Sequence, residues 1–130
     1  MAAPFLNEWS PPSIVAGHTG LLGHIDGGSG NGTITIHRAD DTLLATIPLD
    51  RPGGAVDGTT GALTLTPDGR EDDAPAAGDA DYATIRDSSG VALRSLPCVA
   101  GSTPVSGSCV LNTLEIELGG RVELVSAVIA

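Results

Sequence analysis

Apolar and polar residues alternate along most of this chain with a period of two. Thr33-Ile-Thr-Ile-His37 sets Ile34 and Ile36 on one face and Thr33, Thr35 and His37 on the other, as in a half-buried strand. Arg38-Ala-Asp-Asp-Thr42 supplies a turn, and Leu43–Leu49 continues as a second strand. Pro48 has no amide proton for a ladder, which predicts a strand end or sheet edge there. A glycine-rich loop, 50–61, leads to Ala62-Leu-Thr-Leu-Thr66, where Leu63 and Leu65 share a face.

Residues 67–81 form a long acidic loop. Tyr82–Arg86 and Val91–Leu96 then flank Asp87-Ser-Ser-Gly90, a hairpin signal because the turn residues and glycine supply the positive φ that tight turns need. Thr113–Leu118 alternates apolar with acidic, Gly119-Gly120 turns, and Arg121–Ile129 returns. This predicts Leu114, Ile116 and Leu118 in the core, with Glu115, Glu117 and Glu123 outside. The pattern predicts an all-β fold, a β-sandwich or jelly roll of about seven or eight short antiparallel strands.

Residues 1–24 break the alternation. Pro4, Pro11 and Pro12 interrupt any helix, and Gly17, Gly20 and Gly23 loosen the rest of the segment. The stretch still carries Phe5, Leu6, Trp9, Ile14 and Val15, too apolar for an idle disordered tail. The expectation is an extended N-terminal arm, 1–24, joined to one β-domain, 25–130. The arm's apolar residues either dock on a partner or pack back on their own domain.

Composition narrows the work such a fold can do. The chain has 130 residues, 41% of them hydrophobic, but only Phe5, Trp9 and Tyr82 are aromatic. Its core must be aliphatic, and a thin core in a small domain favours association with other chains. Net charge is −10, from six Arg, no Lys and sixteen acidic residues. That surface repels phosphate backbones, disfavouring nucleic acid, and steers the protein towards basic patches. No stretch is apolar enough for a membrane span. The opening residues lack the positive region of a secretory signal and include Glu8, so synthesis and assembly in a cytoplasm are expected.

Chemistry-bearing motifs are sparse. His18, His24 and His37 have no metal-ligand spacing, and His37 is expected to face solvent or a partner from its polar strand face. Gly27-Gly-Ser-Gly30-Asn-Gly32 has no Lys and precedes a strand, unlike a phosphate-binding loop. Asp68, Glu71, Asp72, Asp73, Asp79 and Asp81 offer hard oxygen ligands without the register of a calcium loop. Glu115 and Glu117 share a strand face but lack the cleft of a glycosidase pair. Cys98 and Cys109, with ten residues between them, could meet across a hairpin, although a reducing cytoplasm favours free thiols. No catalytic residue, metal site or cofactor is expected.

The succession Gly32-Thr-Ile-Thr-Ile36, Leu43-Leu-Ala-Thr-Ile47, Leu63-Thr-Leu65, the Tyr82–Gly90 hairpin and the Leu111–Leu124 ending resembles small virion proteins of tailed bacteriophages. The resemblance covers the pattern of residues 25–129 and implies a non-enzymatic capsid decoration or cement protein. Such a protein binds the outer surface of the major capsid lattice, pairs with itself as a dimer or trimer, and stabilises the head. Phe5, Leu6, Trp9, Ile14 and Val15 are then the candidate partner-binding residues. The Pro-broken arm departs from the regular amphipathic helix expected of that group. The alternatives are a neck, tail or fibre component, or a carbohydrate- or calcium-binding β-sandwich module.

Overall fold

The computed structural model describes residues 9–130, so Phe5 and Leu6 lie outside the described residues. One helix, α1 (Pro11–Ile25), precedes nine strands: β1 (Thr33–His37), β2 (Leu43–Val56), β3 (Leu63–Pro67), β4 (Gly78–Asp79), β5 (Tyr82–Arg86), β6 (Ala92–Ala100), β7 (Cys109–Leu111), β8 (Glu115–Ile116) and β9 (Leu124–Ile129). The chain is β-rich, as the alternation predicts. Seven strands close into one barrel in the order β1-β2-β3-β9-β7-β6-β5, and β4 pairs with β8 separately. The arrangement differs from a purely antiparallel sheet at one seam, where β6 runs parallel to β7. A parallel connection cannot be a tight hairpin, and residues 101–108 make the crossover.

Alternation along the strands points aliphatic side chains into the barrel. Ile34 pairs with Ile47 on one side and Ile85 on the other, and Ile36 pairs with Ala45 and Ala83. All six are buried in one cluster with Leu63, Leu65, Leu111 and Ile129. The predicted Tyr82–Leu96 hairpin forms, with Ala83 opposite Leu96. Gly90 adopts φ +86° in its turn, a conformation that favours glycine.

The last predicted hairpin does not form. β8 pairs with β4, while β9 crosses to lie between β3 and β7. Gly119-Gly120 turns the chain onto Ala74 through Gly119 N–H to Ala74 O, 2.8 Å, and Ala74 N–H to Gly120 O, 3.0 Å. Leu118 is thereby 71% exposed, not part of the core. β2 also outruns its predicted end: it continues past Pro48 to Val56, shifting partners from β1 to β3 at a register break between Leu49 and Gly54.

Each barrel mouth carries a cover. At one, α1 replaces the expected extended arm over residues 11–24. Pro11 and Pro12 occupy its first positions, where a missing amide proton costs nothing because those donors have no helical acceptor. Ser10 caps the start, and Ile25 is fully buried against Gly32 and Gly53, where added Cβ atoms would collide with it. Helix and barrel therefore share one core. At the other mouth, the acidic segment 67–81 folds inward with Ala74 and Ala80 buried. Glu71 and Val122 exchange backbone hydrogen bonds of 3.0 and 2.9 Å.

Candidate functional site

The helix-covered mouth carries Trp9, the most exposed aromatic among the described residues, and a groove beside it. The groove begins with a turn. Asp57 Oδ1 accepts the amide protons of Thr59, 2.7 Å, and Thr60, 2.9 Å. Those donors favour the charged carboxylate and lower its pKa, Thr60 contributing most. Gly61 N–H closes the turn on Asp57 O at 2.8 Å, with Gly61 at φ +82°. A Cβ there would strike the Ile14 side chain and the Val15 amide. Glycine thus serves twice, giving the left-handed backbone and letting the helix approach.

Gly61 also fixes a histidine. His18 Nδ1 lies 2.6 Å from Gly61 O, and a carbonyl only accepts, so Nδ1 carries the proton. His18 is buried, and helical spacing places it in line with Ile14, Leu21 and Ile25. His18 and Ile14 form one wall of the groove; Trp9, Arg94 and Ala130 complete it around roughly 480 Å³. Trp9 is 64% exposed, and its ring crosses the helix at Gly17, where any Cβ would run into it.

Arg94 is the distinctive charge. Arg38 is paired with Asp40, Arg70 with Asp72 and Glu123, and Arg121 with Asp72. Arg51 donates to Gly28 O and Gly30 O, and Arg86 to Thr35 Oγ1 and Gly90 O. Among the described residues Arg94 alone of the arginines has no side-chain hydrogen bond or ion pair. An unpaired guanidinium beside an exposed indole can take a carboxylate while the ring covers apolar surface.

Of the residues proposed from the sequence, the structure brings Trp9 and Ile14 together at this groove. Val15 lies half-buried on the same helix, and Ile14 and Val15 pack back on Gly61 of their own barrel. Sequence reading missed His18, Arg94 and Gly61. The helical spacing of Ile14, His18, Leu21 and Ile25 was the available signal, obscured by reading Pro11-Pro12 as a breaker.

Elsewhere several polar groups are matched internally. His37 is buried on the outer wall, not solvated: its ring stacks on Tyr82 at 5.0 Å, and Nε2 lies 2.8 Å from Thr35 Oγ1. Tyr82 donates its hydroxyl to Asp41 Oδ1 at 2.7 Å, a bond that holds the phenol protonated and raises its pKa. Asp72 of the acidic segment, and Glu123 beside it, are committed to arginines. Among the described residues no three His, Cys, Asp or Glu side chains gather as a metal site, and no helix is long and apolar enough to cross a membrane.

Fold and groove together define a small mixed β-barrel, plugged by one helix and presenting an aromatic-cationic surface at that end. Comparison with protein-family models, curated proteins and solved structures finds no match to this chain.

Proposed function

We propose that this chain is a non-enzymatic structural attachment protein of a virus particle. In this reading it decorates the outer capsid surface and clamps the underlying lattice. The observation that carries the reading is the placement of exposed Trp9 beside Arg94, which has no bond or ion pair among the described residues, on an end whose backbone is pinned by Ile25, His18 and Gly61. A rigid platform loses little conformational freedom on docking, so an aromatic anchor there returns most of its burial energy, roughly 1.5–3 kcal/mol. The net charge of −10 steers the protein towards a basic lattice and away from packaged nucleic acid. Arg94 then binds one carboxylate of the lattice, fixing orientation. Several copies acting as a dimer or trimer multiply a modest single contact by avidity.

The test is the copy number of this chain in purified particles, read by quantitative mass spectrometry with a low-resolution map. Hundreds of copies spread over the shell support decoration. Six or twelve copies at one vertex move the protein to a neck, tail or fibre. Absence from every particle overturns attachment, and glycan binding with and without a calcium chelator then tests a carbohydrate- or calcium-binding module.

A further inference from the structure

The barrel's one parallel seam carries two cysteines in register. Cys98 of β6 lies directly opposite Cys109 of β7, followed by Val99 opposite Val110 and Ala100 opposite Leu111. Register partners share a face, and both thiols belong to the interior cluster. The neighbouring Cys98 thiol, with burial, pushes the Cys109 pKa well up. Both are free thiols. Only three residue pairs join the two strands, and the crossover at 101–106 is exposed.

We propose that Cys98 and Cys109 form a reversible cross-strand disulfide that fastens the parallel seam when the folded chain meets an oxidant. Neighbouring strands stand about 4.8 Å apart, within the Cα range of disulfides but wider than their relaxed Cβ separation of about 3.8 Å. The bond therefore pulls the strands together and stores strain, which makes it easily reduced. A small-molecule disulfide such as oxidised glutathione supplies the oxidising power. Cys98, at the seam's more accessible position, attacks first as its thiolate, forming a mixed disulfide and releasing one glutathione thiolate. Cys109 then attacks the Cys98 sulfur and releases the second glutathione. Two protons leave the cysteines and two electrons pass to the oxidant. Because the Cys109 thiolate is scarce, the closing step is slow at neutral pH and accelerates as pH rises.

The experiment exposes the native chain to oxidised glutathione, quenches by alkylation and maps peptides without reduction. The expected product is a monomer lighter by two hydrogens and linked between Cys98 and Cys109. Its unfolding midpoint should rise by about 5 °C, and dithiothreitol should reverse the shift. Cys109→Ala should trap glutathione on Cys98, whereas Cys98→Ala should leave Cys109 unmodified. A link that appears only in urea, or links between chains, would show that native geometry forbids the bond. A linked chain with an unchanged or lower midpoint would overturn the fastening role.

Discussion

The two mouths of the barrel are covered by different physics. The helix end is closed by apolar burial: Ile25 fills the opening, and one buried hydrogen bond from His18 to Gly61 sets the helix's position. The acidic end is closed by backbone hydrogen bonds between 71–74 and 119–122, with arginines distributed among its carboxylates. At the acidic end Asp72 and Glu123 are thus held by arginines, while at the helix end Arg94 has no bond or ion pair among the described residues and Trp9 is exposed. Groups that are not needed to hold a fold together are the ones free to hold something else, and at the helix end Trp9 and Arg94 are such groups side by side.

The largest effect that sharpens this contrast is expected at Ile25. Replacing it with Ala leaves a void at the mouth and should cost about 3 kcal/mol in chemical denaturation; Ile25→Asp should prevent folding. Gly61→Val comes next, because it imposes a strained φ and a collision with Ile14. A loss of about 2 kcal/mol is expected, together with a changed emission from Trp9, the chain's single tryptophan. Loss of only one of these signals would break the link between the turn and the groove. His18→Ala leaves Gly61 O without its buried donor and should cost about 1–2 kcal/mol.

At the polar surfaces carrying Asp40, Tyr82 and Arg70 the expected effects are smaller, and the first two depend on pH. Asp40 is held at about 2, chiefly by the Thr42 hydroxyl and then by Arg38. Its folded value lies below the unfolded one, so its contribution is present above about pH 4 and disappears as pH falls towards 2. Asp40→Asn should flatten that part of the acid limb in unfolding midpoints measured across pH. Tyr82 shows the opposite sign. Its value is raised above the usual phenol range, chiefly by the bond to Asp41. Its contribution is therefore present below about pH 10 and lost as pH rises through the folded value. Tyr82→Phe should remove that alkaline loss. Arg70→Ala, which breaks a solvent-exposed ion-pair network, should move the unfolding midpoint least of all.

The difference between the ends also separates what was legible in the sequence from what was not. Local alternation was sufficient for β1, β3 and the β5–β6 hairpin, because each strand's face or tight turn is encoded within a few residues. It failed at Thr113–Ile129, where Gly119-Gly120 looks like a hairpin turn but β8 and β9 find partners distant in sequence. Barrel closure and the parallel β6–β7 seam are likewise choices among non-local pairings, which period two does not record. The helix was hidden by Pro11 and Pro12, helix-breaking in the middle of a helix yet compatible with its first turn. With the helix hidden, the line from Ile14 through His18 to Ile25 was invisible, and so was most of the groove. Of the groove residues Trp9 and Ile14 stood out, because they are conspicuously apolar in a segment broken by prolines and glycines.

The most direct measurement compares occupancy of purified particles by the native chain, Trp9→Ala and Trp9→Ala/Arg94→Ala, alongside each variant's unfolding midpoint. The account predicts at least a tenfold loss of attachment for Trp9→Ala and a further loss for the double variant. Stability should stay within about 0.5 kcal/mol of the native chain, since both side chains lie at the surface. Full occupancy by the double variant would contradict the central claim that the helix end is the attachment surface.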